Sequence, residues 1–420
     1  MLAIRCMTRS WSSRRQSSPA ALLVVAHVHP RWSCLCRIEI LTCLVFLVSL
    51  AFSTPARAAD YYASPTGRGR TCTIDAPCKP QQWIASSLAS CGNTLYLLDG
   101  VYQGSDEMIA PAVTSSGKSG TVACKITVKA LNDGRVLIDG QFARIPLRLN
   151  RNSYWVFEGF NVKSGATSTD CGPGATVSVT GGSNDNTFRR IVAWDTCAGS
   201  NSMVVSVQGG SSRNVFEDFA AFGTGRKIFQ IYGKSNDTVC RRCWFRWDGG
   251  LTGGSVSATT HYNSTGSIFE NSLFTWSGEV MPESYTTPAA PVGSGQGAMY
   301  NSEPAGSLGV LASDRLESAS APKFANSTLR GSIVYVKPGA HLPTRSSGGG
   351  PGTFPMIFFY GASGYTLTDV VSVLSPSHSQ FDVHHGIVFQ RTPHNGPTSD
   401  PHNPSIPVVE NSATRLTSIR

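Results

Sequence analysis

Acids, bases and hydroxylated residues recur at matched places around four short apolar phrases, TVSV (176–179), VVSV (204–207), IFQI (228–231) and SATT (257–260). The loops that lead into these phrases carry Asp195, Arg226 with Lys227, Asp248 and Glu279. Successive side chains of a strand point to opposite faces. The outward column therefore reads Thr180, Gln208, Tyr232 and His261, and the adjacent outward column Ser178, Ser206, Gln230 and Thr259. Such a set suits β-elimination from a sugar acid. A cation neutralises the carboxylate and acidifies the neighbouring C–H, a base removes that proton, and an acid protonates the leaving oxygen. Lys227 or Arg226 fits the cation, and Tyr232 or His261 the proton carrier, imidazole being the side chain that titrates near neutrality. Gln208, Gln230, Thr259 and Trp247 would line the path of the substrate.

Each of these residues also has a plainer reading. His261 suits a turn histidine bonded to backbone, and Tyr232 an aromatic surface that binds sugars without reacting. Asp195 and Asp248 stand in WDT and WDGG, ordinary turn sequences. With Glu279 they could instead hold calcium through oxygen ligands, or act as a hydrolytic acid/base pair. The five histidines from His378 to His402 lie in a Pro-rich stretch without ligand spacing and read as a solvated tail. No phosphate loop, nucleophile elbow or HExxH motif occurs.

The elements that must position these groups come from an internal repeat. WVFEGFNV (155–162), NTFRRIVAW (186–194), NVFEDFAAF (214–222), TVCRRCWFRW (238–247), SIFENSLFTW (267–276), STLRGSIVYV (327–336) and YTLTDVVSV (365–373) share one anchor position. That position is Phe157, Phe188, Phe216, Cys240, Phe269, Leu329 and Leu367, at intervals of 31, 28, 24, 29, 60 and 38. A period of this length, with short β-rich phrases between Gly/Asn/Ser turns, signals a solenoid. Nine residues before successive anchors stand Val179, Val207, Ile231 and Thr260, one inward position on a second strand. Two or more short strands per winding, stacked rung on rung, make a single-stranded parallel β-helix, an all-β fold.

Charge tests this register. The residue after the anchor is Glu158, Arg189, Glu217, Arg241 and Glu270 in five successive windings, an alternation that cross-strand pairing favours. The next column, Arg190, Asp218, Arg242 and Asn271, partly repeats it. Arg189, Arg241 and Arg242 are therefore read as structural.

The chain of 420 residues has a formal charge of +9, but residues 1–58 hold seven Arg and one acid, leaving about +3 for the remainder. Nucleic acid is excluded as a partner on that balance. The run 38–52 (IEILTCLVFLVSLAF) followed by Ala56-Arg57-Ala58 reads as a secretory leader over 1–58, too short and too close to its cleavage site for a membrane span. Eight cysteines follow the leader, an even set that reads as disulfides in an exported chain. The preferred pairs are Cys72–Cys78, Cys91–Cys124 and Cys171–Cys197. Cys240 and Cys243 lack the second ligand pair that zinc requires. A short helix over 80–89 would cap the open end of the sheet, which is otherwise an aggregation edge. Residues 280–310 are a long excursion, and 391–420 a Pro-rich flexible tail after a domain spanning 59–390.

With these phrases in place, the chain resembles the right-handed parallel β-helix proteins of the pectate-lyase-like superfamily. YYASPTG (61–67), LYLLDGVYQG (95–104) and ITVKA (126–130) are similar to the entry coils of that group, and GTGRKIFQIYG with RRCWFRWDGG to an uncharacterised bacterial branch. The resemblance covers about residues 60–375. It implies the fold and a carbohydrate-active role, while the scaffold hosts lyases, hydrolases, epimerases and adhesins alike. The dense Asp cluster of calcium-dependent pectate lyases is absent. The expectation is a secreted or periplasmic monomer that meets an acidic polysaccharide or oligosaccharide, with calcium as the one cofactor to consider and no membrane contact once the leader is cleaved. A polysaccharide lyase, a non-catalytic glycan-binding or surface-structural protein, and a hydrolase with a carboxylate pair all stay open.

Overall fold

The computed structural model describes residues 58–166, 174–196, 202–223, 225, 227–247, 257–262, 264–276, 312–313, 327–336, 357–359, 366–373, 381–383, 388–390, 399–400, 403–407 and 409–411. The leader residues 1–57, the Cys171–Cys197 pair, Arg226, Asp248, Glu279 and the excursion 280–310 lie outside them. Among the described residues no helix is long and apolar enough to cross a membrane.

Three long parallel sheets carry the fold. Among the described residues sheet A has twelve strands, sheet B nine and sheet C five. The chain visits them in rotation. Trp155–Glu158 lies in A, Asn161–Gly165 in B and Ala175–Thr180 in C, and Thr187–Arg189 then returns to A beside its starting point. Every anchor residue read from the sequence occupies one column of sheet A, from Phe157↔Phe188 to Leu329↔Leu367. The winding is the expected parallel β-helix.

Aromatic packing fills its interior. Phe157, Phe188 and Phe216 are fully buried. They stack at centroid distances of 5.3 Å and 4.6 Å, and Phe229 from sheet C meets Phe216 edge-on at 5.0 Å. Each such ring contributes roughly 2–3 kcal/mol of burial.

The corner from sheet C to sheet A, read as merely polar from GGSNDN and GGSSRN, proves to be half interior. Ser183, Ser211, Asn186 and Asn214 are fully buried. Asn186 Nδ2 donates to Asn214 Oδ1 at 3.0 Å, and the Ser183 and Ser211 amides donate to the hydroxyls of Ser211 and Ser235 at 3.1 and 3.0 Å. A sharp corner exposes backbone groups that no ladder can pair, and these repeated side chains satisfy them winding after winding.

The alternating charges stack as expected. Glu217 pairs in register with Arg189 on one side and Arg241 on the other. Glu158 accepts hydrogen bonds from Arg189 and Arg190, and Glu270 from Arg241 and Arg330. Burial alone would raise both carboxyls, but the arginine hydrogen bonds outweigh it and hold them below the usual carboxylate range. The second charged column forms the tight corner from A to B, where Arg190, Asp218, Arg242 and Asn271 all have φ of +51°.

At the start of the described chain, the helix spans Pro80–Ala85, shorter than the expected 80–89. It ends because the Ser86 hydroxyl accepts from the Leu88 amide and donates to the Trp83 carbonyl, turning the chain away. Cys72–Cys78 and Cys91–Cys124 are disulfides, whereas Cys240 and Cys243 are buried thiols.

One register expectation is corrected. Ile231 pairs with His261, not with Thr260. Val179, Val207 and Ile231 each precede their anchor by nine residues, but His261 precedes Phe269 by eight, so the corner HYNSTG is one residue shorter than its predecessors. A shift of one residue exchanges the faces of a strand. It places His261 in the register column of Val207 and Ile231, and Thr260 and Tyr262 in the register columns of Gln230 and Tyr232.

Candidate functional site

Sheet C is formed by Leu147–Asn150, Ala175–Thr180, Met203–Val207, Lys227–Tyr232 and Ser257–Tyr262. Valines and isoleucine at alternate positions, Val177, Val179, Val205, Val207 and Ile231, bury one face completely. The alternation then commits the intervening residues to the other face.

Two polar columns result. The first runs Arg148↔Ser178↔Ser206↔Gln230↔Thr260 across all five strands. The second takes Asn150↔Thr180, continues one residue past Val207 to Gln208, and ends on Tyr232↔Tyr262. Strands in such a ladder stand about 4.8 Å apart, so each column presents one side chain at each step.

Burial grades across this face. Thr176, Val204 and Ile228, on the side where the chain enters the sheet, are fully buried. Ser178, Ser206 and Gln230 are 6%, 1% and 6% exposed. Thr180 and Gln208 are half-buried, and Tyr232 is 39% exposed. The Ser206 hydroxyl is buried without a hydrogen-bond partner. Among the described residues the Gln230 and Gln208 amides also make no side-chain hydrogen bond, whereas Thr180 donates its hydroxyl to the Leu149 carbonyl at 3.0 Å. Buried polar groups are nearly always paired, and leaving one unpaired costs about 1–3 kcal/mol. The first column is therefore covered, and the part of this face open to a polar ligand is the row of Thr180, Gln208 and Tyr232.

The residues singled out from sequence are distributed unevenly over this face. Gln208, Gln230 and Tyr232 come together on it. Thr259, expected outward, lies in the column of Phe229 and is fully buried, a consequence of the shortened corner. His261 holds an inward register position for the same reason. Lys227 aligns with Met203 and Ser257 and is 3% exposed. Trp247 belongs to the strand Trp244–Trp247 of sheet B, not to sheet C.

Asp195 is the penultimate residue of the sheet B strand Val192–Thr196 and takes a left-handed conformation, φ +51°. Its Oδ1 would lie 2.3 Å from a Cβ placed on Gly223 of the next winding, so a side chain there would collide with it. Thr176 donates to the Asp195 carbonyl at 2.6 Å, tying this end of the strand to sheet C. Of the three carboxylates considered for calcium, Asp195 alone is described, and no group of three or more metal-ligating side chains comes together among the described residues.

Arg148, which heads the first polar column, was not among the residues expected from sequence. Its strand LRLN alternates as the later ones do, but precedes the first repeat phrase and so fell outside the register count.

No family model matches the sequence. No curated protein matches it either. Among solved structures, the chain is similar to pectate lyase Pel9A, with 13% identity, a TM-score of 0.44, and coverage of 88% of this chain and 80% of that one. It is similar to a rhamnogalacturonan lyase at 14% identity and TM-score 0.42, covering 77% and 84%. It is also similar to the GH136 lacto-N-biosidase from Eubacterium ramulus at 11% identity and TM-score 0.45, covering 90% and 70%. The parallel β-helix of this chain stands on its own strand registers.

Proposed function

We propose that the chain is an exported carbohydrate-active protein that binds an acidic glycan along sheet C and cleaves it by β-elimination. The observation that carries this reading is the accessible row of sheet C, where the half-buried Gln208, whose amide makes no side-chain hydrogen bond among the described residues, stands beside Tyr232 at 39% exposure. Glycan hydroxyls both donate and accept, and would supply the partners that the protein does not. A repeat of about 4.8 Å per strand is close to the length of one sugar unit, so successive rungs would meet successive sugars.

In this reading Tyr232 carries the proton, because it is the exposed titratable group in the row with Gln208. Arg226 or Lys227 neutralises the sugar carboxylate from the loop entering the same strand. Neutralisation makes the C–H beside the carboxylate acidic enough for the Tyr232 oxygen to remove its proton; a carbon–carbon double bond forms as the bond to the leaving oxygen breaks, and that oxygen takes up the proton from Tyr232. Asp195, with Asp248 and Glu279, is the set that would hold calcium if a metal assists.

A second reading is binding without turnover. It is favoured by the burial of Lys227 at 3% exposure, a poor position for a cation that must meet a substrate. Incubating the purified protein with pectate, alginate and neutral glucans, with and without chelator, separates the two. Near-ultraviolet absorbance from unsaturated ends on a uronate polymer is the expected result. Binding of the same polymer with no product after long incubation would replace cleavage by recognition.

A further inference from the structure

We infer that a pocket at the head of sheet C is a chain-end subsite that grips the carboxylate of a terminal uronic acid through Arg148 and Arg144; this rests on the acidic-glycan reading above. The cavity measures 320 Å³ and lies between the first strand of sheet C and the segment from Gln81 to Thr114. Such a volume falls at the lower end of small-molecule sites.

The pocket is built around an insertion. In sheet B, Asp139 pairs with Lys163 and Arg144 with Gly165, so five steps of chain lie against two. The extra residues, with Gln141 and Phe142 at φ of +56° and +52°, swing out and bring Arg144 and Ile145 to the cavity wall. Arg148 follows one strand later and projects from sheet C beside Ser178.

The opposite wall is held rigidly. The Ile109 amide donates to the Pro146 carbonyl at 2.8 Å, and the Arg148 amide to the Ile109 carbonyl at 3.0 Å. Gln81 donates to the Met108 carbonyl at 2.8 Å and accepts from the Thr114 hydroxyl at 2.7 Å, which uses up these polar groups within the wall.

The arginines are not used up. Arg144 donates one hydrogen bond, 3.2 Å to Gln141 Oε1. Among the described residues, neither guanidinium forms an ion pair, in contrast to Arg189, Arg190, Arg213, Arg241, Arg242 and Arg330, all of which do. Asp106, the single acid lining the cavity, is bonded only to the neighbouring Ser105 hydroxyl, at 3.5 Å. Two unpaired guanidinium groups with one acceptor nearby match a sugar that carries a carboxylate and hydroxyls, because arginine's planar fork recognises a carboxylate through paired hydrogen bonds. Arg148 stands on the terminal strand of sheet C, so the pocket lies where the polar columns begin and suits the end of a chain.

Calorimetry with trigalacturonate, trimannuronate and maltotriose tests the assignment on the full chain. One of the two acidic trimers binds and maltotriose does not. Arg148→Gln weakens that binding tenfold or more, and Arg144→Gln with Arg148→Gln abolishes it, with unchanged circular dichroism and melting temperature because both side chains reach solvent. Ser178→Ala, on the strip, weakens it less. Undiminished trimer binding in the double variant, or binding of neither trimer by the unsubstituted protein, overturns the subsite. Binding that depends on the two arginines while no polymer is cleaved supports the subsite and removes the cleavage reading alone.

Discussion

Asp218 accepts two hydrogen bonds from Arg242 on the following winding, 2.6 Å from Nε and 2.9 Å from Nη2, and both residues sit at φ +51°. The corner from sheet A to sheet B therefore joins a charge pair to a backbone conformation that few side chains tolerate. The two contributions separate by substitution. Asp218→Asn keeps the left-handed tolerance and removes only the charge. Asp218→Ala also forces a Cβ-bearing residue without local polar compensation into that region, at a further cost of about 1–2 kcal/mol. Denaturant unfolding is expected to rank the variants Asn above Ala, with Gly recovering much of the Ala loss. An equal loss in all three would mean that the charge pair alone matters.

Acid should weaken the solenoid through Glu158 and Glu270. Both carboxyls are held below their usual range, with burial opposing and the arginine hydrogen bonds prevailing. A carboxyl with a depressed folded pKa contributes stability that is complete above its unfolded pKa, about 4.3, and is lost as pH falls through the folded value. The melting temperature is therefore expected to be level from pH 7 to about 5 as far as these groups decide it, and to drop below that. The double variant Glu158→Gln, Glu270→Gln should be less stable at neutral pH and should show a shallower acid slope. An acid slope unchanged in that variant would assign the titration to other groups.

The aromatic column gives a larger effect. Phe216 is fully buried between Phe188 and Phe229, so Phe216→Ala leaves a cavity and is expected to cost about 3–5 kcal/mol. Asn186→Ala removes a buried amide that donates to Asn214 and to the Asn152 carbonyl, and leaves the Trp155 amide without its acceptor. Its expected cost of about 2–3 kcal/mol would exceed anything its position in a polar corner suggests. Both are read by urea titration at constant m-value.

That corner shows what the sequence made legible and what it hid. The anchor column could be read because Phe157, Phe188 and Phe216 are followed by charges of alternating sign, and chemistry and spacing agreed. Asn186 and Ser211 looked like turn residues because composition distinguishes polar from apolar, not solvated from buried. His261 and Thr259 were displaced by a corner one residue shorter than the three before it, a change that spacing from a single anchor cannot detect. Arg144 and Arg148 escaped notice because the insertion at 140–143 interrupts the repeat where the chain first enters sheet C. Periodicity is the signal that such a reading relies on, and it fails where the period breaks.

Ser206 and Gln208 together separate a binding row from mere architecture. Its hydroxyl is buried at 1% exposure with no partner, so in the free protein it is an uncompensated polar group. Ser206→Ala removes that group and is expected to leave the unliganded protein as stable or up to about 1 kcal/mol more stable. If the accessible row meets a glycan, Gln208→Ala loses a hydrogen bond made only in the complex and affinity for the uronate polymer falls about fivefold to tenfold, whereas Ser206→Ala, at a covered position, leaves affinity unchanged. Tyr232→Phe, on the exposed row, should spare affinity yet lower kcat by about 100-fold or more if the phenol moves the proton. Unchanged affinity in Gln208→Ala would remove this row from the binding surface. Full turnover in Tyr232→Phe would move the proton transfer to another residue.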